Sequence, residues 1–299
     1  MLSIIICSRH TYLSKDLTEN LNSTIGIEYE IIIVDNSSNR YSIFEAYNLG
    51  VSRAIYPYLC FMHEDILFHT NNWGKKVIEH FNNPEVGIIG VAGSHYVPKL
   101  PGAHWSSGIT SANIIHTINQ NPTIESFRFL NNEESSVKGV ILDGLWLCIP
   151  ETIIKKVFFD EITFTGFHCY DSDICLQIRK LNFTVNIVFD IDIEHFSLGK
   201  RDISWLKDIF TFYNKWEKEL PLSSVKLSKK QISQANFSNA KELIEQIQIN
   251  KFGLLYIYKT WIYYLKSNPP TSNGNLMLLI RLINERFYFS LKKKIKKRI

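Results

Sequence analysis

The chain has 299 residues, 45% of them hydrophobic and 21% charged, with a formal net charge of +4. That composition excludes a disordered or collagen-like chain and leaves mass for one large α/β domain plus an appendage, or for two domains. The charge is uneven: residues 281–299 hold eight Lys or Arg against Glu285, a net of +7, leaving 4 − 7 = −3 for the rest, which argues against a nucleic-acid-binding body.

In chain order, Ile4 to Cys7 is an apolar run, Leu13, Leu17 and Leu21 recur at helical spacing, and Glu30 to Asp35 is a second run that ends in polar residues. Asn36 to Asn39 reads as a turn or helix start. Ile43, Phe44, Tyr47, Val51 and Ala54 form a helical stripe, and Tyr58 to Met62 is a third strand that passes within three residues to His63, Glu64 and Asp65. Apolar runs that end abruptly in charge are what an α/β sheet produces at the carboxyl edges of its strands, where ligands bind. A carboxylate there, beside an imidazole and another carboxylate, suits a divalent cation or a polar ligand; the alternative for Asp65 is a helix N-cap before Leu67. Trp73, Val77, Ile78 and Phe81 fit one helix face, and Val86 to Val91 is a fourth strand. The alternation implies βαβ units with right-handed crossovers and a largely parallel sheet.

Residues 93–136 break the regularity with Gly93, Pro98, Pro101, Gly102, Gly108 and Pro122. They read as a loop-rich insertion, a lid or binding surface, whose Tyr96 and Trp105 either stack on a ligand or anchor the loop. Gly139 to Ile149 is a strand pair or bulged strand broken at Asp143-Gly144. Phe164 to Tyr170 is a loop, and a helix is expected over Asp171 to Lys180 with two acids in its first turn. Ile187, Phe189, Ile191 and Ile193 alternate with Val188, Asp190 and Asp192 in a half-buried strand that ends at Glu194-His195. Beyond Arg201 only helical spacing remains. Trp205, Ile209, Phe212, Trp216 and Leu220 form one stripe, and the final segment is a basic amphipathic helix ending in Lys292 to Arg298.

Five cysteines is an odd number. Cys7, Cys60 and Cys148 lie in strand-like runs as small hydrophobes, and Cys169 and Cys175 lack zinc-ligand spacing, so a reduced, cytosolic protein is expected. No signal peptide or transmembrane helix is expected, since Met1 leads straight into a strand and no uncharged apolar run reaches about 18 residues.

Six segments in this order, Ser3-Ile-Ile-Ile-Cys-Ser8, Ile33-Val-Asp-Asn-Ser37, Asn48-Leu-Gly50, His63-Glu-Asp65, Tyr170-Asp-Ser-Asp173 and His195, resemble the motifs of family 2 inverting glycosyltransferases. Within that family the chain looks closest to the glycosyltransferase-like group of bacterial surface-polysaccharide synthesis. The resemblance covers about residues 1–200. It implies an α/β GT-A fold, Rossmann-like and mostly parallel with flanking helices, over 1–200, followed by a helical C-terminal extension over 201–299. It further implies a metal-dependent, inverting hexosyltransferase-type enzyme that uses a nucleotide-sugar donor and a saccharide or lipid-linked acceptor. Two positions depart from the pattern: His63 replaces the first Asp of the Asp-x-Asp motif, and Tyr170 replaces a Glu.

On this resemblance Asp65 and His195 are the expected ligands of Mn²⁺ or Mg²⁺, and Asp171 is the general base, held ionised by its helix N-terminus; Asp173 reads instead as a first-turn cap. Ser8, Arg9, Asp35, Asn48, Arg53, His63, Glu64 and Asp65 are the expected nucleotide-sugar contacts, with Asp35 placed to accept the N3 hydrogen of uracil or thymine. Arg53 has a solvated helix face as its alternative. Trp105, Asp143 and His168 are the expected acceptor contacts. The basic tail would rest on an anionic inner membrane leaflet, with a solvated terminus as the alternative. The competing functional reading is a catalytically silent GT-A domain that binds sugar nucleotide or glycan as an assembly partner.

Overall fold

The computed structural model describes residues 1–118, 121–130, 133–197 and 199–267; the tail expected at a membrane, 281–299, lies outside the described residues. In the first half, β1 (Leu2–Ser8), α1 (Lys15–Thr24), β2 (Tyr29–Asp35), α2 (Ile43–Arg53), β3 (Tyr58–Met62), β4 (Ile66–Phe68), α3 (Trp73–Phe81), β5 (Val86–Gly90), β6 (Ala92–Ser94) and β7 (Tyr96–Val97) are followed by β8 (Thr110–Ile118) and β9 (Asn121–Phe127). In the second half come β10 (Ser136–Gly139), β11 (Ile141–Leu142), β12 (Trp146–Pro150), α4 (Glu151–Ile154), α5 (Tyr170–Lys180), β13 (Thr184–Val188), β14 (Ile193–His195), α6 (Ile203–Trp216), β15 (Leu222–Ser223), α7 (Lys229–Ile249) and α8 (Leu254–Ser267).

The apolar runs become a seven-stranded sheet in the order β10-β13-β5-β12-β3-β1-β2. Within it β13, β5, β3, β1 and β2 run one way and β10 and β12 run against them. This is the expected α/β class, a mostly parallel sheet flanked by helices, with helices following at the C-terminus. Side chains alternate across each strand, so Ile4 and Ile6 join Leu17, Leu21 and Trp73 on one face while Ile5 joins Phe44 and Tyr47 on the other. The α6 stripe is buried as its spacing predicts, and Trp205, Phe212, Leu243 and Tyr264 share the cluster of Ile5 and Phe61. The helical segment therefore packs on the second face of the sheet.

Three expectations are corrected. Residues 93–136 are not loop-rich throughout: β6, β8 and β9 belong to a second, six-stranded sheet with the path β11-β6-β8-β14-β4, and β9 pairs with β8. The strand expected to run through Ile187 and on to His195 is two strands in two sheets, β13 and β14. Its period-two pattern is the same on both sides of the bend, so alternation alone does not reveal the break. Finally, Cys60 and Cys148 face each other across the antiparallel β3 and β12 with Cα atoms 4.2 Å apart and form a disulfide, while Cys7, Cys169 and Cys175 are free. Their separation of 88 residues hides an adjacency that strand register creates.

The two sheets meet along one rim. The chain passes from one sheet to the other at 63–65 between β3 and β4, at Val91 between β5 and β6, at 143–145 between β11 and β12, and at 189–192 between β13 and β14. At these handovers the backbone stays bonded, His63 N to Leu145 O (3.0 Å) and Asp143 N to Ala92 O (2.9 Å), and the side chains of 63–65 and 143 are carried to the rim.

Behind the rim, a buried polar knot ties α5 to α6. Asp173 is fully buried and accepts from Trp216 Nε1 (2.8 Å), Gln177 Nε2 (2.7 Å) and Lys215 Nζ (2.7 Å). These partners are all side chains, so the reading of Asp173 as a first-turn cap is corrected: it joins α5 to α6 instead of capping a backbone N–H. Asp173→Ala is expected to lower the unfolding free energy by about 3 kcal/mol, because it leaves buried donors without their acceptor; a urea titration with unchanged m-value checks this.

Candidate active site

The handover from β3 to β4 places His63, Glu64 and Asp65 at the rim, with His63 N donating to Leu145 O (3.0 Å) just before β12. Because Leu67 lies within β4, the N-cap alternative for Asp65 falls away. The antiparallel register of β14 on β4 sets His195 opposite Ile66, next to Asp65. His195 Nε2 then lies 3.6 Å from Asp65 Oδ1, and His63 Nδ1 lies 3.9 Å from the same oxygen. Sequence reasoning pairs Asp65 with His195 and leaves His63 among the donor contacts; the structure brings all three together.

One ligand atom from each of the three lies within 4.8 Å of the others. Metal–donor distances of about 2.1 Å put neighbouring donors roughly 3–4 Å apart, so this triad fits a divalent cation. Its hydrogen bonds support the same reading. Tyr170 Oη donates to Gly144 O (3.0 Å), so its contact with His63 Nε2 (2.9 Å) requires the imidazole to be the donor. The lone pair of His63 is thereby left on Nδ1, facing Asp65. Crowding by the surrounding protein lowers the His63 pKa against the pull of Asp65, which favours the neutral ring a ligand needs. Burial tends to raise the Asp65 pKa, but hydrogen bonds from His195 and Ser197 and the neighbouring imidazoles hold it well below the usual carboxylate range. His195 Nδ1 is buried with no hydrogen-bond partner among the described residues.

Tyr170 can reach His63 because residue 144 is glycine: a Cβ there would lie 2.1 Å from Tyr170 Oη. The ring cannot retreat, being buried against Tyr47 (centroids 5.5 Å) and Phe44 (6.3 Å). Gly144→Ala is therefore expected to cost about 1–3 kcal/mol in stability, seen as a lower thermal midpoint.

Asp171 sits in the first turn of α5, after the left-handed Cys169 (φ 66°). It is half-buried, and its Oδ1 accepts from Ser172 N (2.6 Å). Burial and then the charge of Asp143 push its pKa up to about 7, against the hydrogen bonds of Ser172 and Gly144. The expectation that a helix N-terminus keeps it fully ionised is corrected, because desolvation and a like charge outweigh the dipole. Asp143 accepts from Leu145 N (3.0 Å), and its charge acts on both Asp171 and His63.

A model of the glycosyltransferase-like family matches residues 3–192, more than half of the chain. The chain belongs to this glycosyltransferase-like family. Among solved structures it is similar to GalNAc-T7 with UDP, GalNAc and Mn²⁺, at 10% identity over 67% of this chain and 43% of that one, with a TM-score of 0.48. It is also similar to A197 from STIV, at 15% identity over 66% of this chain and 86% of that one, with a TM-score of 0.39. The chain thus spans less than half the length of the GalNAc-T7 chain. No curated protein sequence matches.

In this glycosyltransferase-like chain the other expected site residues divide into two groups. Ser8 and Asp35 are register partners at the carboxyl ends of β1 and β2. Ser8 Oγ donates to Glu64, whose other oxygen accepts from Arg9 N (3.3 Å), so Glu64 turns toward β1 and away from the triad. Asp35 is exposed, its pKa held low by the backbone N–H and hydroxyl of Ser37. His168 lies in the loop before Asp171, with Nε2 3.4 Å from Ser204 Oγ.

Asn48, Arg53 and Tyr96 do not serve the rim as expected. Asn48 is spent on Phe159 (O at 2.8 Å, N at 3.1 Å) and Glu161 (2.7 Å), pinning α2 to the loop before α5. Arg53 closes α2 at the amino-terminal edge of the sheet, beside Ile55 and Glu30, the edge opposite the rim. It is exposed there, the solvated reading. Tyr96 is buried with its hydroxyl on Asn236 Oδ1 (3.0 Å), so its ring cannot stack on a sugar. Trp105 is half-buried against the cluster of Trp73 and Trp146.

Sequence reasoning missed three groups near the site. Tyr170 carried a signal, as one of the two departures from the family pattern. His116 carried none: it lies opposite His195 in the β8–β14 register, with ring centroids 5.6 Å apart. Asp208 on α6 reaches the 163–169 loop at Gly166, and burial pushes its pKa up to about 6.

Proposed function

We propose that the chain is a metal-dependent inverting glycosyltransferase that moves a sugar from a nucleotide diphosphate donor to a saccharide or lipid-linked saccharide. The observation that carries this reading is the occurrence, on one rim, of a His–Asp–His triad and a half-exposed carboxylate whose pKa is about 7. A base works best when its pKa lies near the operating pH. Asp171 accepts the proton of the acceptor hydroxyl, whose oxygen attacks the anomeric carbon from the face opposite the departing nucleotide, inverting the centre. Asp143 tunes Asp171. His63, Asp65 and His195 would hold the cation, which when bound neutralises charge on the diphosphate. Two imidazoles beside one carboxylate favour Mn²⁺ over Mg²⁺.

Asp35, exposed at the end of β2, suits the N3 hydrogen of a uracil or thymine base and so favours UDP- or dTDP-linked donors. Bacterial surface-polysaccharide synthesis at the inner face of the cell membrane is the setting we propose. Thermal melts with UDP, dTDP, GDP and CMP, each with and without Mn²⁺, test the donor side. Stabilisation by mass action is expected with UDP or dTDP and only with Mn²⁺; no shift with any nucleotide counts against the reading.

A further inference from the structure

The corner between α7 and α8 leaves large apolar side chains in solvent. Ile249 is 72% exposed, Leu254 67%, Leu255 61% and Tyr258 56%, on either side of a short turn whose Lys251 and Gly253 have positive φ. Single exposed apolar residues are ordinary, but several gathered at one corner mark an interaction surface. Exposed Lys251 and Lys259 accompany them, and no Asp or Glu occurs between Glu245 and Glu285. We propose that this corner is a docking surface for an anionic lipid bilayer.

Charge selects this occupant over two others. A second copy docked two-fold would set the same lysines against one another. The chain's own continuation, 268–299, carries eight Lys or Arg against one acid and is cationic as well. A bilayer surface of anionic headgroups complements the lysines, while its acyl boundary receives leucine, isoleucine and tyrosine, the composition of interfacial helices.

The corner lies on the side of the candidate base. Asn250 Nδ2 donates to Arg201 O (2.8 Å), next to the N-cap of α6, and Ser204 in the first turn of α6 contacts His168, three residues before Asp171. Exposed Phe167 and Ile203 lie along the same path. Docking through this corner would bring the Asp171 loop close to the bilayer, where a lipid-carried acceptor presents its hydroxyl; that consequence rests on the transfer reading, whereas the docking does not.

Co-sedimentation of the full chain with phosphatidylglycerol–phosphatidylcholine vesicles and with phosphatidylcholine vesicles tests the proposal without any turnover. Binding is expected only to the anionic vesicles and is weakened by salt. The double variants Leu254→Glu/Leu255→Glu and Lys251→Glu/Lys259→Glu should each lower the partition coefficient by about tenfold or more while keeping the wild-type circular dichroism melt. Unchanged binding by both folded variants overturns the proposal. So does a dimer in light scattering that the leucine variant dissociates, without vesicle binding by the wild type.

Discussion

Asp171→Asn is expected to reduce sugar transfer by about 10²–10⁴-fold while leaving nucleotide binding in the melts intact. An amide keeps the shape and the Ser172 hydrogen bond but cannot accept the proton. The pH dependence follows from the raised pKa of about 7: wild-type kcat/KM should climb through that value and level off above it, as the base becomes ionised. Since burial is the largest cause and the Asp143 charge the next, Asp143→Asn should move the acid limb to lower pH. The apparent value then belongs to the pair rather than to either carboxyl.

Stability runs the other way. A carboxyl whose folded pKa lies above its ordinary 3.8 contributes stability that is fully present below that ordinary value and is lost as pH rises through about 7. At pH 8 Asp171→Asn should therefore be more stable than wild type by about 1 kcal/mol, after allowance for its partly open surface, and near pH 4 the two should converge. A variant that is inactive yet more stable at pH 8 is the signature of a base kept in a costly environment. Retained turnover in Asp171→Asn would remove this residue from the chemistry.

The second large effect is expected at the triad. Asp65→Ala removes the single anionic donor and should weaken Mn²⁺ binding, measured by calorimetric titration of the metal-free protein, by at least ~100-fold. The manganese-dependent nucleotide shift should vanish with it. His195→Ala and His63→Ala should act in the same direction, and the His63 variant is the sharper test, since sequence reasoning placed that residue with the nucleotide. Tyr170→Phe should cost roughly 10–100-fold in Mn²⁺ affinity, because the hydroxyl that holds the His63 tautomer is gone while the buried ring remains. Wild-type affinity in His63→Ala would mean that the cation, if bound, sits elsewhere.

Much of this was legible in the chain. The strands through Ile4, Ile32, Cys60 and Ile88 and the helical stripes of α2, α3 and α6 follow from periods of two and 3.6, which record which face of an element is buried. Asp65, Asp171 and His195 stood out because apolar patterning ends beside them and because they match the motifs of a known family. Asp143 stood out through the Asp-Gly break, although its action on Asp171 did not.

What lay beyond the sequence depended on register and on which sheet a strand joins. Alternation through Ile187 to Ile193 is the same whether one strand continues or two strands part, yet only the second arrangement sets His195 opposite Ile66 and next to Asp65. Cys60 and Cys148 read as two small hydrophobes until β3 and β12 pair. Arg53 fits a helix face equally well at either edge of the sheet, and only the direction of α2 sends it away from the rim. The protonation of Asp171 depends on burial and on a carboxylate 28 positions away in sequence, where the local rule for a helix N-terminus gives the opposite sign. Local patterns thus determined the elements, their buried faces and the residue types at strand ends. The contacts between distant segments that turn those residues into a triad and a carboxyl with a raised pKa were decided by tertiary structure alone, because pairing energies depend on the partner and not on the segment itself.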